Sequence, residues 1–456
     1  MNIYDSSRMS AMLTALNFRE VDSFREADLI IVNTCTIRDK ARQKAVSFLG
    51  RLASRKRKNP RVIVAVGGCV AQHEGRALID LFPHIDIVFG THAVTRLPEF
   101  LNLVEDGYGP VVDVGLTDAI DEVPGLIRAG GAVSDFVTIM RGCDNFCTYC
   151  VVPHVRGRET SRRPERIIEE IRQLAASGVR EVVLLGQNVN SYGNKEGLCS
   201  FPRLLAMVNE VAGIERIRFT TSHPKDLSDE LIRSYAGLEK LCHHFHLPVQ
   251  SGSSRILERM NRRYTRERYL ERVERLRETA ADIAITTDII VGFPGETPAD
   301  FEETVSLIQA VEFDGIFAFM YSDRSLAPAA KFPDKIPSAE KNRRLNLLLD
   351  LQKGISESKN SALAGQILPV LVEGPSRRSG GSTGSGAGLE RQWTGRTSTN
   401  KVVNFMLSGS LSPTPTVNAG DMVRVYIEAG FAHSLSGRIV SEENNSMNTG
   451  ESFHAA

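Results

Sequence analysis

Apolar and polar positions along the chain fall into three successive patterns. From Met1 to about Glu122, short apolar runs, "DLIIVNTC", "RVIVAVGGC" and "DIVFG", alternate with polar helical stretches such as Arg38 to Lys58. Runs of that length between helix-period segments predict βαβ units, hence a Rossmann-like parallel sheet covered by helices. The alternation resumes from about Val133 to Ala362. There "FVTIM", "EVVLLGQ", "RIRFTTS", "HFHLPV", "AITTDIIVGF" and "GIFAFMY" read as strands between helices such as Pro164 to Ser177 and Arg266 to Ala280. Strands in this rhythm predict a partial (β/α)6 barrel, whose chemistry belongs at the C-terminal strand ends. After Gly365 the helices stop, and "QILPVLVEG", "KVVNFML" and "DMVRVYIEAG" predict a small antiparallel β-barrel.

The expected division is therefore an α/β domain at 1–122, a linker at 123–132, a partial barrel at 133–362, a β domain at 363–441 and a tail at 442–456. Ser376 to Gly388, "SRRSGGSTGSGAG", is rich in Gly and Ser and is expected to be a mobile loop. The tail lacks periodicity and is expected to be disordered.

Composition removes several classes of function. The 456 residues carry 55 Lys+Arg and 55 Asp+Glu, so a nucleic-acid partner has to be held by local basic patches rather than by an overall field. Seven cysteines is an odd number, and the start "MNIYDSSRMS" has neither a charged nor an apolar leader region, which argues against a secreted disulfide scaffold. No apolar run approaches the ~18 residues that span a bilayer. A cytoplasmic protein without a membrane partner is expected, with reduced thiols available as metal ligands.

The chemistry concentrates in "RGCDNFCTYC", Arg141 to Cys150. Cys143, Cys147 and Cys150 stand at CxxxCxxC spacing on the loop leaving the first barrel strand. A closed zinc site and a four-iron cluster both take four protein ligands. His154 offers a fourth for structural zinc. The position at the mouth of a barrel points instead to a four-iron cluster with one iron left open, shielded by Phe146, Tyr149, Val151 and Val152. Cys35 and Cys69 end strands in "IVNTC" and "AVGGC", so neighbouring parallel strands should bring them to one crevice. Cys199 and Cys242 have no partner at ligand spacing and read as buried or incidental thiols. His243, His244 and His246 carry no assignment.

The string "MRGCDNFCTYCVVPHVRGRETSR" resembles the methylthiotransferase branch of the radical S-adenosylmethionine superfamily, and within it the MiaB type that modifies tRNA. "NTCTIRDKA", "VGGCVAQ", "LLGQNVNSYG", "HLPVQSGS", "MNRRYT", "DIIVGFPGET" and "TGRTSTNKVVNF" agree, so the likeness covers Met1 to Val440. It implies that the open iron on the Cys143, Cys147 and Cys150 cluster binds S-adenosylmethionine, and that reduction yields methionine and a 5′-deoxyadenosyl radical. The radical would activate C2–H of N6-isopentenyladenosine next to the anticodon. Polar residues at successive strand ends then become cofactor ligands: Gln187 and Asn188, Ser222 and His223, Gln250 and Ser251. "GFPGE", with Gly292 and Glu296, would approach the adenine.

The resemblance also implies a second four-iron cluster on three cysteines of the first domain, the source of the inserted sulfur, with the methyl group coming from a second S-adenosylmethionine. Cys35 and Cys69 match two of the three. The family's remaining cysteine lies in a segment ending CQMN just ahead of "IYDSSRM", so the expectation is a chain that starts inside that segment and an auxiliary site short of one ligand, the alternative being a true two-cysteine site with water, a substrate sulfur or Asp5 in the vacant place. A flavodoxin or ferredoxin as reductant and a monomeric state complete the expectation. Two sister branches, one acting on threonylcarbamoyl-adenosine and one on an aspartate of a ribosomal protein, remain open, as does an RNA-binding protein with a structural cluster and no turnover.

Basic residues cluster although the total balances. Ser253 to Glu278 holds nine Arg against five Glu, and "RLASRKRKNPR" and "RGRETSRR" add to them. The C-terminal β domain resembles a TRAM module, an RNA-binding barrel. Trp393 among Arg391, Arg396 and Lys401 is expected to offer a stacking ring amid cations.

Overall fold

The computed structural model of the chain describes residues 1–35, 39–117, 132–376, 392–407 and 416–440. The expected linker, apart from Ala132, the Gly/Ser loop beyond Ser376, Arg391 and the tail lie outside these residues.

The first domain runs α1 (Asn2–Ala15), β1 (Leu29–Thr34), α2 (Asp39–Lys58), β2 (Ile63–Gly68), α3 (Cys69–Glu74), α4 (Ala77–Leu81), β3 (Ile87–Phe89), α5 (Leu97–Glu105) and β4 (Val111–Asp113). Its strands are parallel and lie in simple order β1-β2-β3-β4. Every residue of β2 and β3 is buried, because helices cover both faces. Met9, Met12, Phe89 and Phe100 pack on one side, and Leu49, Leu52, Val64 and Val66 on the other. A doubly wound sheet opens a crevice where its strand order reverses. This sheet has no reversal, so the crevice at its strand ends is made against the next domain.

That domain begins with β5 (Ser134–Thr138). A short antiparallel pair, β6 (Met140–Arg141) with β7 (Thr160–Ser161), brackets the cysteine loop and α6 (Val152–Arg156). The βα rhythm continues through α7 (Pro164–Ala176), β8 (Glu181–Leu185), α8 (Phe201–Asn209), β9 (Arg216–Phe219), α9 (Asp229–Gly237) and β10 (His244–His246). It is completed by α10 (Ser254–Arg259), α11 (Arg266–Thr279), β11 (Ala284–Val291), α12 (Pro298–Val311), β12 (Gly315–Met320) and α13 (Ser338–Ser361). All the barrel strands read from the sequence form, and they are parallel. Hydrogen bonding divides them into two sheets, β5-β8-β9 and β10-β11-β12, joined by the single bridge Ile217 to Leu241. Along β11 the side chains alternate in burial. Ile285, Thr287, Ile289 and Val291 lie under the helices, while Thr286, Asp288 and Ile290 are half-buried on the opposite face. Edge-to-face contacts of Phe219 with Phe201 at 5.0 Å and Phe245 at 5.2 Å centre the core between β-sheet and helices.

The C-terminal domain closes β13 (Ile367–Pro375), β14 (Gln392–Thr397), β15 (Val402–Met406), β16 (Met422–Gly430) and β17 (Leu435–Ile439) into a barrel around Val370, Val403, Phe405, Val425 and Leu435. Its pairings are antiparallel except β15 with β17. It is held to the middle domain by two buried arginines of β9. Arg216 donates to the Pro369 carbonyl at 3.1 Å, and Arg218 to the carbonyls of Thr397 at 2.7 Å and Ser398 at 2.9 Å. Lys401 pairs with Asp314 at 3.0 Å across the same junction, whereas Arg396 pairs with Glu373 at 2.6 Å within the barrel. The indole of Trp393 packs against the barrel core. Lys401, one cation of the expected stacking ring, thus serves the domain junction, while Trp393 is half-buried. The basic stretch 253–278 is likewise engaged internally. Arg255 pairs with Asp300, Arg272 and Arg275 both pair with Asp229, and Arg266 donates to the Gly252 carbonyl at 3.2 Å.

Candidate active site

The cysteine loop is shaped by positions that few residues tolerate. Gly142 sits at φ +76°, where a Cβ would lie 1.9 Å from the Arg158 carbonyl oxygen, so only glycine fits ahead of Cys143. Phe146 adopts φ +48°, strained for an aromatic residue and maintained by its surroundings. The amide and hydroxyl of Thr148 donate to the carbonyls of Met260 (3.0 Å) and Arg259 (2.9 Å), tying the loop to the end of α10. The Val152 amide donates to Cys150 Sγ at 3.4 Å. Burial, reinforced by the proximity of the other thiols, pushes the Cys143 thiol up to about 11 and the Cys150 thiol up to about 12. Such a set needs positive charge nearby before it ionises, which bound iron supplies. His154 is exposed on α6, so the Cys₃His alternative is not assembled. Among the described residues, no three His, Cys, Asp or Glu side chains are placed to hold a single metal ion. A four-iron cube asks instead for thiols spread around it, and three soft sulfurs on one loop, that of Cys147 buried and those of Cys143 and Cys150 half-buried, fit that group.

Beside the loop, the ends of β8 and β9 carry buried polar atoms with no hydrogen-bond partner: Gln187 Oε1, Asn188 Oδ1, Asn190 Oδ1, Ser222 Oγ and His223 Nε2. Orphaned groups cost free energy in a folded chain and mark a place where a ligand completes them. His223 Nδ1 accepts from the Lys225 amide at 3.3 Å, so the neutral ring carries its proton on Nε2, an unused donor. Burial, reinforced by Arg262 and Lys225, holds its pKa far below the usual histidine range. Thr221 (φ +69°) and Gln250 (φ +75°) place further left-handed residues at successive strand ends. Glu159, itself buried, has its pKa pushed up to about 7 by burial and by Asp144, Asp226 and Glu196. Three amide oxygens, a hydroxyl, an imidazole N–H and a cluster of carboxylates suit a ligand with hydroxyl and amino donors and positive charge. S-adenosylmethionine, with its sulfonium and ammonium, is such a ligand. Ser251 is fully buried and its Oγ accepts from the Ser253 amide at 3.2 Å. Gly292 and Glu296, expected beside the adenine, are bonded to each other. The Gly292 amide donates to Glu296 Oε2 at 2.6 Å, and the same oxygen pairs with buried Arg344 at 2.5 Å.

Cys35 and Cys69 do meet at one crevice. Thr34 and Gly68 are in register on paired parallel strands, and the cysteines follow immediately. Gly68 turns at φ +89°, and a Cβ there would lie 2.4 Å from the Thr34 carbonyl oxygen. Cys69 is buried, which raises its pKa, while Arg156 hydrogen-bonds the thiol and opposes that rise. The guanidinium belongs to the last residue of α6, so one five-residue helix joins Cys150 to the auxiliary pair. Val151, Val155 and Ala327 pack with Cys69 into one apolar contact.

Sequence reasoning passed over Arg156, Glu159, Asn190 and Arg262. Each lies inside a quoted motif, "PHVRGRETSR", "QNVNSYG" or "MNRRYT". That was the available signal, but polarity alone did not tell a buried ligand from a solvated one.

Residues 137–308 match the Radical SAM superfamily model and residues 1–90 match that of the uncharacterized protein family UPF0004. Among solved structures, a radical S-adenosylmethionine methyltransferase, TsrM from Kitasatospora setae, shares the fold with a TM-score of 0.54 at 16% identity, over 72% of this chain and 74% of its own. The tRNA-2-methylthio-N(6)-dimethylallyladenosine synthase of Desulfosudis oleivorans is 57% identical over 100% of this chain and 97% of its own length. The synthase of the same name from Syntrophus aciditrophicus is 48% identical over 97% and 93%. At that identity over nearly the whole length, this chain belongs to the tRNA-2-methylthio-N(6)-dimethylallyladenosine synthase family of radical S-adenosylmethionine enzymes.

Proposed function

We propose that this protein converts N6-isopentenyladenosine next to the tRNA anticodon into its 2-methylthio derivative. The observation that carries the reading is the span of α6, which sets the barrel cysteines at one end and the Cys35 and Cys69 crevice at the other. Replacing an unactivated C–H by C–S needs one centre to open the bond and another to deliver sulfur, and two thiol sets on either side of one short helix meet that need. A [4Fe-4S] cluster on Cys143, Cys147 and Cys150 supplies, when bound, the electron that cleaves S-adenosylmethionine. Gln187, Asn188, Ser222, His223 and Gln250 bind and orient the cofactor through the donors and acceptors they leave unused, and Glu159 with its acidic neighbours draws in its positive charge. Ser251 shapes the pocket floor.

Cys35 and Cys69 are two ligands of an auxiliary [4Fe-4S] cluster that carries the inserted sulfur, with the methyl group coming from a second S-adenosylmethionine. Residues 1–122 form the sulfur-bearing domain, 133–362 the radical domain and 363–441 a TRAM-like RNA-binding domain. A flavodoxin or ferredoxin reduces the enzyme, which works as a monomer in the cytoplasm alongside its tRNA. Among the described residues no helix is long and apolar enough to cross a membrane.

Nucleoside mass spectrometry of tRNA from a strain lacking the gene tests this reading. Loss of the 2-methylthio nucleoside with accumulation of N6-isopentenyladenosine is expected. An unchanged nucleoside profile would overturn it.

A further inference from the structure

Arg262 is only 4% exposed, and its guanidinium is satisfied in an unusual way. Nη2 donates to the Pro248 carbonyl at 2.6 Å, Nε to the Tyr264 hydroxyl at 2.9 Å, and Nη1 to the Tyr149 hydroxyl at 3.3 Å and to Cys147 Sγ at 3.5 Å. Most of its buried counterparts pair with carboxylates: Arg344 with Glu296 and Glu340, Arg156 with Asp5, and Arg218 with Glu181, while Arg216, held by carbonyls, still has the charges of Glu181 and Glu373 near enough to act on it. Among the described residues Arg262 has no carboxylate partner, only two phenols, a carbonyl and a thiol. A buried cation without a counter-ion is costly, so the missing negative charge has to come from somewhere within reach. Cys147 is the one group in contact that becomes an anion on binding iron.

We infer that Arg262 is a positioning residue that supplies the counter-charge to the barrel cluster through Cys147 and thereby sets how readily the cluster accepts an electron. The inference rests on the placement of that cluster at Cys143, Cys147 and Cys150. A cluster gains negative charge on reduction, so a fixed cation and an N–H donor at one of its sulfurs stabilise the reduced state and raise the potential. The same contact aims the loop. Tyr149 lies between two of the ligands, and its hydroxyl accepts from the same Nη1 that reaches Cys147. The guanidinium thus fixes both a ligand and the ring that screens it.

The experiment is an EPR-monitored redox titration of the full chain carrying Cys35→Ala and Cys69→Ala, so that only the barrel cluster contributes. Iron content is measured alongside. Arg262→Met and Arg262→Gln remove the charge, and Arg262→Lys keeps it. The midpoint potential is expected to fall in both neutral variants at undiminished iron content and to stay near the parent value in the lysine variant. Equal potentials in the parent and a cluster-bearing neutral variant would overturn the inference. Where neutral variants lose the cluster and lysine retains it, charge is what the loop requires and the inference stands. Loss in all three variants would show that shape rather than charge matters, and would overturn it. Failure of the underlying placement has a separate signature: the parent itself would bind no iron.

Discussion

The guanidinium of Arg156 lies 3.1 Å from the carboxylate of Asp5, across 151 positions of sequence. This ion pair locks α1 of the first domain against the helix that leaves the barrel cysteines. It also fixes what Asp5 does: its carboxylate is committed to Arg156, which in turn holds Cys69.

Asp5→Ala leaves that arginine buried with only Asn2 Oδ1, at 2.9 Å, and the Cys69 thiol. Breaking one side of a buried pair costs about 3 kcal/mol. Urea denaturation should record a loss of that order. Iron bound at the auxiliary site should fall while S-adenosylmethionine cleavage persists.

Cys143→Ala, Cys147→Ala and Cys150→Ala are each expected to abolish 5′-deoxyadenosine formation, because three thiolates are the fewest that anchor a cube and leave one iron open. Circular dichroism should stay close to the parent, since the β6 and β7 pair and the Thr148 bonds hold the loop without the thiols. Cleavage that survives in any of the three would remove that cysteine from the site.

Glu159 gives the pocket a pH dependence. Its folded pKa, pushed up to about 7, lies above the ordinary carboxylate value, so between pH 4.5 and 7 the folded apoprotein binds more protons than the unfolded chain. Its contribution to stability is therefore present below that window and lost as pH rises through about 7. A cationic ligand favours the ionised form, so S-adenosylmethionine should bind more tightly as pH rises through 7, with proton release. Calorimetry in buffers of different ionisation heat measures that release, and Glu159→Gln should flatten the trend.

Lys401→Ala separates the domain junction from RNA binding. Losing its bonds to Asp314 and Asn360 should lower stability by about 1 kcal/mol. The salt dependence of tRNA binding should keep its slope, because this ammonium faces the middle domain rather than a phosphate. A shallower slope by about one counter-ion would place Lys401 on the RNA.

The barrel strands were legible because their apolar runs are short and helices of regular period separate them. The cysteine crevice was legible because Cys35 and Cys69 end two such runs. What stayed hidden depends on contacts across long stretches of chain. Arg262 sits in a basic run that reads as a solvated face until α10 folds its end onto the Cys147 loop. Glu296 looks like a ligand in "GFPGE" until α13 brings Arg344 to it. Lys401 looks like part of an RNA patch until Asp314 and the end of α13 meet its ammonium across the junction. The partial barrel also hides its break, since the two sheets meet only where Ile217 of β9 bridges to Leu241, ahead of the three-residue β10, rather than along a full ladder.

The central claim is that two thiol sets on either side of α6 act on one tRNA nucleoside. Its most direct test is nucleoside mass spectrometry of tRNA from a deletion strain complemented with the native gene, with Cys147→Ala, or with Cys69→Ala. The native gene should restore 2-methylthio-N6-isopentenyladenosine, and both variants should leave N6-isopentenyladenosine unconverted. The methylthio nucleoside formed at native levels by either variant would contradict the account.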